Sequence, residues 1–328
     1  MARSLTLNTF DLAAFSVGHK TWDEIVISGG LVGDVRLPIA IARGQEPGPT
    51  VLVVAGVHGD EFEGPTAIEK YFDELDAKSL TGSVVALPAA NPYAFDAQTR
   101  ESGVPYDGLN LARQFPGNAE GTPTQRLADS LFRFTTALLG PQDLFIDFHS
   151  GGTRYEFLSM VGYHPTDDAT EEASLAMARV FGIDRVWKVP PSPSSTRTFN
   201  GTIARAGIPT LGMEMRGRGG LLAVDVDPLV AGLRNVLVAK GMLSGQTRSV
   251  SAESGTITRT VNCGASGIFR SRVELSDLVS RDDVLAQIVL LTGKVEEEIA
   301  APVDGKIWAI RRFASVRPGD IAFMIGME

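Results

Sequence analysis

Cysteine is almost absent from this sequence, since Cys263 is the one cysteine among 328 residues. A single thiol cannot form a disulfide within the chain, and it cannot build a zinc site from thiolates. Any metal that the chain binds must therefore use histidine and carboxylate ligands. Histidine is scarce as well, with four residues in the chain, so the position of each one is informative.

Long apolar runs are also missing. No run reaches the roughly 18 residues that a helix needs to cross a bilayer. The opening segment MARSLTLNTFDLAAF has no basic end followed by an apolar stretch, which a secretion signal would have. These absences predict a cytoplasmic protein without a membrane partner.

Positive charge is in deficit, with 30 lysine and arginine residues against 39 aspartate and glutamate residues and a net charge of −9. Such a chain would repel a phosphate backbone, so we do not expect nucleic acid as a partner. The 35 glycines show no fixed period and no Walker-type phosphate loop, which argues against a repeat array and an NTPase. A small molecule is the expected partner, and a homo-oligomer is compatible with the sequence.

The length of the chain predicts two domains, because 328 residues are many for one compact core. A polar segment of small residues, LSGQTRSVSAESG at 243–255, marks the boundary. We therefore expect a catalytic domain over 1–245 and a β-rich domain over 246–328. The second domain should contain short strands at Thr256–Val261, Ile268–Arg272, Val284–Leu291 and Gly305–Ile310.

Strand-like and helical patterns alternate in the first domain, which predicts an α/β sheet covered by helices. The expected strands are Thr50–Gly56, Ser83–Pro88, Leu144–Phe148 and Thr210–Met215. The expected helices are Gly64–Leu75, Glu171–Phe181 and Pro228–Met242. The sequence PPSPSST at 190–196 cannot hold a long helix or a central strand, so we expect a surface loop that borders a pocket.

The segment GVHGDEFEGP at 56–65 places His58 and Glu61 three residues apart, directly after a buried strand. Ligands of open α/β sheets bind beyond the carboxyl ends of the strands. At this spacing on a helical turn the two side chains are neighbours, about 5–6 Å apart at Cβ, and can bind one ion. Alone, such a pair is more often structural, with His58 capping a turn and Glu61 solvated at the start of a helix.

A second buried strand, in IDFHSGG at 146–152, also ends in a histidine that glycines follow. His149 is therefore the candidate third ligand beside His58 and Glu61. Two imidazoles and one carboxylate leave a fourth zinc position for water, as expected of a catalytic zinc and not of a closed structural one. The predicted chemistry is hydrolysis.

A third strand-like segment, PTLGMEMRG, places Glu214 among apolar residues, where an unpaired carboxylate is costly to bury. A general base that accepts the proton of zinc-bound water would have a reason to lie there. The alternative is a core ion pair between Glu214 and Arg216 or Arg218.

Arg100 and Arg113 are candidates for binding the negative charges of an amide substrate, which develop on the carbonyl oxygen and reside on a carboxylate. They flank the loop-like segment ESGVPYDGLN, and loops often carry binding residues. The alternative is that either arginine is solvated.

The motifs HGDE, NLARQFPG, DFHSGG and EMRG, in this order, resemble those of the succinylglutamate desuccinylase and aspartoacylase family, which are relatives of zinc carboxypeptidases. The resemblance covers about Val51 to Met242, and the β-rich tail also suits the family. It implies a mixed sheet flanked by helices, a smaller C-terminal all-β barrel-sandwich domain and one Zn²⁺ ion per chain.

For the site, the resemblance implies that His58, Glu61 and His149 bind zinc and that Glu214 is the general base, in agreement with the residue chemistry. It further implies that Arg100, in the Thr-Arg pair at 99–100, stabilises the oxyanion. Two residues of NLARQFPG would lie on the substrate side. Of these, Arg113 would bind the α-carboxylate of the substrate and Asn110 would support a zinc-bound histidine.

The sequence departs from the family pattern at two positions. Ala112 stands where the family has an asparagine that helps to bind the carboxylate, and Asn110 stands where many relatives have an aspartate. The GDEFEGP and DFHSGG segments look most like the branch that deacetylates N-acetyl-diaminobutyrate. In the tail, APVDGKI and VRPGDIAF resemble a biotinyl or lipoyl module but lack its carrier lysine in a Met-Lys-Met setting.

The predicted function is that of a zinc-dependent amidohydrolase that acts on linear amides, namely a deacylase of a small N-acyl amino acid. Two alternatives remain open. One is a zinc carboxypeptidase acting on short peptides, which uses the same metal chemistry. The other is a binding homologue without turnover, against which the presence of Glu214 argues.

Overall fold

The computed structural model describes residues 6–30, 33–250 and 255–327. The helices are α1 (Glu63–Glu74), α2 (Pro92–Ala97), α3 (Pro123–Leu138), α4 (Ala169–Phe181), α5 (Phe199–Arg205) and α6 (Ala223–Ala239). The strands before residue 216 are β1 (His19–Gly30), β2 (Gly33–Arg43), β3 (Glu46–Val54), β4 (Thr81–Leu87), β5 (Leu144–Ser150), β6 (Tyr155–Phe157), β7 (Met160–Tyr163), β8 (Val186–Lys188) and β9 (Thr210–Met215). The later strands are β10 (Ile257–Asn262), β11 (Gly267–Ser271), β12 (Leu278–Val279), β13 (Val284–Val289), β14 (Val295–Ala300), β15 (Gly305–Arg311), β16 (Ser315–Val316) and β17 (Ile321–Met327).

A mixed sheet forms the centre of the molecule, with the strand order β1-β2-β4-β3-β5-β9-β7-β8. The inner strands β4, β3, β5 and β9 run parallel to one another. The outer pairs β1–β2, β2–β4 and β7–β9 are antiparallel. The predicted mixed sheet flanked by helices is confirmed.

Helices cover both faces of this sheet because its central strands are apolar on both sides. Successive side chains of a strand point to opposite faces. In β3, Val51 and Val53 pack in one cluster with side chains of α1, α4 and α6. Leu52 and Val54 pack in a second cluster with side chains of α3 and α5.

The predicted elements of the first domain are found close to their expected positions. The strands expected at 50–56, 83–88, 144–148 and 210–215 are β3, β4, β5 and β9, and the loop expected at 190–196 contains only a short 3-10 turn at its end. The helix α6 differs, because it begins at Ala223 and encloses Pro228. The proline removes a hydrogen bond to the carbonyl of Val224, and this residue is 61% exposed, so water can bond the carbonyl instead.

The chain after residue 255 is all β, as predicted. It forms one antiparallel sheet in the order β10-β17-β15-β12 and another in the order β14-β13-β11-β16. An apolar core between the sheets includes Phe269, Leu285, Ile307 and Phe323. Residues 251–254 of the predicted boundary segment and residues 1–5 of the opening segment lie outside the described residues, and the division at 245/246 stays a proposal.

The C-terminal sheets are joined to the central part of the molecule by backbone pairing and by packing. Strand β15 pairs with β6, with Ala309 opposite Phe157. Next to this pair, Trp308 is 1% exposed and belongs to a buried cluster with Met160 of β7 and Met324 of β17. Side chains from both parts of the chain therefore share one apolar cluster.

Replacing Trp308 with alanine is expected to lower the free energy of unfolding by about 3–5 kcal/mol, because the cavity left behind lies between two sheets. The matched control is Leu291→Ala, since Leu291 is 95% exposed and should change the value by less than about 0.5 kcal/mol. Chemical denaturation followed by far-ultraviolet circular dichroism measures both. Equal stability of the two variants would contradict the packing described here.

No helix in the described ranges has the length and apolar composition that a membrane crossing requires.

Candidate active site

His58, Glu61 and His149 meet at the carboxyl ends of neighbouring strands. His58 and Glu61 follow β3 in the chain, and His149 lies near the end of β5, which pairs with β3. The Glu61 carboxylate lies between the two rings, with Oε1 2.8 Å from Nδ1 of His58 and Oε2 3.0 Å from Nδ1 of His149. The two Nδ1 atoms are 3.2 Å apart. One ligand atom from each residue thus lies within 4.8 Å of the others.

Polar neighbours orient both imidazole rings so that Nδ1 of each ring faces the Glu61 carboxylate. Nε2 of His58 is 3.2 Å from Oδ1 of Asn110, and an amide oxygen only accepts hydrogen bonds, so this nitrogen carries the proton. Nε2 of His149 is 3.1 Å from Oδ2 of Asp147. An imidazole that donates its far N–H to a carbonyl or carboxylate oxygen presents the other nitrogen to a metal.

Burial and neighbouring charges shift the pKa values of all three residues. Burial and the nearby Arg100 lower the pKa of His58 to about 4, so its ring is neutral at pH 7. Burial disfavours the charged forms of His149 and Glu61. Even so, Asp147 and Glu61 hold the pKa of His149 well above its usual value, and the two imidazoles hold the pKa of Glu61 well below its usual value.

The donor set fits a zinc ion. Zinc prefers imidazole nitrogen and carboxylate oxygen when thiolates are absent, and the one cysteine, Cys263, is buried in the C-terminal core. A buried carboxylate held between two Nδ1 atoms also supplies the negative charge that compensates a cation in a low-dielectric environment. The structure thus brings together the three residues that the sequence predicts as ligands.

Glu214 lies beside this cluster, because β5 and β9 are parallel neighbours with Glu214 opposite His149. Burial raises the pKa of Glu214 to about 8, although His149 opposes the shift. The predicted ion-pair alternative is wrong. Arg216 lies 3.0 Å from Asp225 and Arg218 lies 3.5 Å from Glu156, so neither arginine compensates Glu214.

Arg100 and Arg113 both line the cavity at this site, but they have different hydrogen-bond partners. Arg100 donates from Nη1 to Oε1 of Glu61 at 2.8 Å. Burial disfavours its charge, but Glu61 and Glu214 raise its pKa above the usual value. Arg113 donates from Nη1 to the carbonyl of Ala112 at 2.8 Å, and burial and Arg100 lower its pKa. Arg113 therefore has no carboxylate partner in the described part of the chain, so its guanidinium can bind an anionic ligand.

A buried aspartate, Asp60, links the segment that contains His58 and Glu61 to the segment that follows β5. Oδ2 of Asp60 accepts hydrogen bonds from the backbone N and Oγ1 of Thr153, at 2.9 and 2.8 Å. Gly152, which directly precedes Thr153, has a φ of +52°. A Cβ at this position would lie 2.6 Å from Oδ2 of Asp60. Gly152 is therefore required for the close approach of these two segments.

A cavity of about 430 Å³ opens onto the cluster. Part of it is lined by His58, His149 and Glu214, together with Arg100 and Arg113. The loop predicted at 190–196 forms part of the wall, as expected, with Pro190, Pro191, Ser192, Ser194 and Ser195. The C-terminal strands form another part, with Thr258, Arg259, Thr260, Ala309, Ile321 and Met324.

Sequence reasoning missed Asp60, Asp147 and Arg259. A signal was present for Asp147, because it lies two residues before His149 on a strand and therefore on the same face. Asp60 lies inside the HGDE motif, but its partner Thr153 is 93 residues away. Nothing in the sequence around Arg259 indicates that β10 borders the cavity.

Comparisons with known proteins identify relatives of this chain. The family model described as the succinylglutamate desuccinylase/aspartoacylase catalytic domain matches residues 47–239. In sequence, the chain is similar to N-alpha-acetyl-L-2,4-diaminobutyric acid deacetylase from Halomonas elongata, with 31% identity over 302 residues that cover 89% of this chain and 86% of that protein.

Solved structures show the same fold. The product-bound ectoine utilization protein EutE (DoeB) from Ruegeria pomeroyi superposes with a TM-score of 0.83 at 28% identity, covering 94% of this chain and 95% of that one. A succinylglutamate desuccinylase from Silicibacter sp. TM1040 superposes with a TM-score of 0.80 at 26% identity, covering 94% of each chain.

Proposed function

Because the chain belongs to the succinylglutamate desuccinylase/aspartoacylase family and is an amidohydrolase, we propose that it is a zinc-dependent deacylase of a small N-acyl amino acid. His58, Glu61 and His149 hold one zinc ion per chain, and Glu214 is the general base. The names of its relatives, a diaminobutyric acid deacetylase and a succinylglutamate desuccinylase, support a substrate in which an acyl group is bound through an amide to an amino acid.

The observation that carries this proposal is the composition of the cavity. One space of about 430 Å³ is lined by the converging imidazoles, the partly buried Glu214 carboxyl and two arginines. This volume suits a small molecule. The C-terminal strands close one side of it, which favours a short substrate over the peptide that a carboxypeptidase would bind.

Glu214 transfers the proton of the attacking water in the proposed reaction. Zinc, when bound, supplies a positive charge that lowers the pKa of water, polarises the amide carbonyl and favours the ionised form of the Glu214 carboxyl. Glu214 then accepts a proton from the attacking water and delivers it to the nitrogen of the leaving amino acid. Its position opposite His149 keeps this carboxyl next to the reacting carbonyl.

The arginines bind and polarise the substrate. One N–H of Arg100 bonds Glu61, which fixes the guanidinium and leaves further N–H donors for the carbonyl oxygen as negative charge develops there. Arg113 binds the α-carboxylate of the substrate. Ala112 offers no side-chain donor beside it, and its carbonyl instead holds Nη1 of Arg113, so this carboxylate is bound by fewer donors than the family pattern provides.

A substrate panel combined with metal analysis tests the proposed function. We expect about one zinc per chain and hydrolysis of one or more N-acetyl or N-succinyl amino acids, whose product amine is measured directly. Release of C-terminal residues from blocked dipeptides and tripeptides, with no acyl amino acid cleaved, would favour the carboxypeptidase. Binding of acyl amino acids without turnover by the zinc-loaded protein would favour the binding homologue.

A further inference from the structure

Strand β1 lies at one end of the central sheet and has an open edge. The sheet order places β2 on one side of β1 and, among the described strands, none on the other. Within residues 6–30, 33–250 and 255–327, the bridge between Thr6 and Val26 is the one backbone pairing on that outer edge. β1 has 12 residues, which is long for a strand. An open edge of this length is a template for pairing with another strand.

The backbone groups that face the open edge belong to every second residue of β1. Glu24 lies opposite Pro38 of β2, and a proline has no N–H to donate. The backbone N of Glu24 bonds Oδ1 of Asp23 at 2.8 Å instead, so the backbone groups of Glu24 face away from β2. Because this direction alternates along a strand, the backbone groups of Trp22 and Lys20 also face the open edge.

The side chains of these three residues share one face of β1, since they are two residues apart. Trp22 is 48% exposed, and its ring centroid lies 5.7 Å from that of Phe72 in α1. Nζ of Lys20 donates to the carbonyl of Asp73 at 2.8 Å, which holds this cation at the end of α1. Glu24 lies on the other side of Trp22 along the strand. The open edge therefore presents an indole between one cation and one anion.

We infer that β1 is the interface of a symmetric dimer, in which the β1 strands of two copies of this chain pair antiparallel with Trp22 opposite Trp22. In this register Lys20 of each copy faces Glu24 of the other. Opposite charges across a strand pair are stabilising and like charges are destabilising. Moving the symmetry axis to Asp23 would oppose two carboxylates, and moving it to Thr21 would leave Glu24 beyond the end of the other β1 strand. Charge complementarity thus selects both the occupant and the register.

A cleft of about 290 Å³ runs along the same face of β1 and would receive the second copy. It is lined by Lys20, Thr21, Trp22, Glu69, Phe72 and Asp73. The two half-exposed indoles meet here, and their burial adds an apolar contribution to the hydrogen bonds of strand pairing. No residue of β1 lines the candidate active-site cavity, so the dimer leaves that cavity open.

Analytical ultracentrifugation of the full chain tests the inference. The unmodified protein is expected to sediment at twice the mass of one chain. Lys20→Glu and Glu24→Lys each oppose like charges in both symmetry-related pairs, and each should raise the dissociation constant by about tenfold or more. The double variant Lys20→Glu/Glu24→Lys restores opposite charges and should regain the dimer. The matched control is Lys294→Glu, because the Lys294 side chain is 69% exposed outside this surface.

Disulfide cross-linking tests the register without a change of charge sign. In Trp22→Cys the two new cysteines face each other at the symmetry axis, with Cα atoms about 5.5 Å apart, which is within disulfide range. Mild oxidation should give a covalent dimer. Lys20→Cys is the control, since its two copies lie four residues apart along the strands, roughly 13 Å. The native Cys263 is buried, and circular dichroism verifies that every variant is folded.

A monomeric unmodified protein would overturn the inference, and a strand of another protein would then be the remaining candidate for this edge. A dimer whose dissociation constant is the same in all the charge variants would place the interface elsewhere. A folded double variant that dimerises as weakly as the single variants, or equal cross-linking at positions 22 and 20, would contradict the register.

Discussion

Replacing Glu214 with glutamine is expected to lower kcat by about 10²- to 10⁴-fold, the usual contribution of a general base. Glutamine keeps the shape of the side chain but has no oxygen that accepts a proton from water. The carboxyl lies opposite His149 on β9 and no arginine next to it in sequence pairs with it, so the loss should be catalytic and not structural. Zinc content and melting temperature are expected to stay close to those of the unmodified protein.

The matched control for this variant is Glu63→Gln. Glu63 is a buried carboxyl that accepts hydrogen bonds from the backbone N of Gly217 at 3.0 Å and of Phe62 at 3.2 Å, of which glutamine retains the first. It does not line the cavity, so kcat should remain near normal. Measuring kcat, zinc and melting temperature on one preparation separates the two roles. A stable, zinc-loaded Glu214→Gln protein with normal kcat would refute the assignment of the base.

Replacing His58 or His149 with alanine is expected to reduce the zinc content from about one ion per chain to nearly none, and activity with it. Each variant leaves two ligands, which cannot hold zinc in a catalytic geometry. The control is His19→Ala, because His19 is exposed and bonds the backbone of Val17, far along the chain from the cluster. Metal analysis after dialysis gives the result.

Circular dichroism accompanies the metal analysis, so that unfolding is not mistaken for loss of a ligand. A folded His58→Ala or His149→Ala protein that retains one zinc and near-native turnover would show that the ligand set is wrong. The buried Glu61 should remain bonded to Arg100 in both variants, which favours retention of the fold.

The strands that position the site could be predicted from the sequence because they are buried on both faces. β3, β5 and β9 appear as short continuous apolar runs, a pattern that few other elements produce. The hairpin β1–β2 was missed, since β1 is largely exposed and carries charged residues such as Lys20, Asp23 and Glu24. Helix α3 was missed too, although Thr122 and Gln125 form a capping box at its start.

For the site, prediction from the sequence selected side chains that the structure brings together where those side chains lie in short segments. His58 and Glu61 are three residues apart, and His149 ends an apolar run that glycines follow. It failed for contacts between distant segments. The wall residue Arg259 and the proposed base Glu214 lie on different sheets. Their shared cavity depends on the pairing of β15 with β6, which no local pattern reveals.

One side of the cavity is formed by strands that come late in the chain, which matters during biosynthesis. The proposed metal ligands and the proposed base are all translated by residue 214, whereas the wall residues Thr258, Arg259 and Met324 follow later in the chain. In a nascent chain, the strands that carry the proposed ligands are therefore complete while one side of the cavity is still open. The C-terminal side of the cavity is completed only when β15 has been made and pairs with β6.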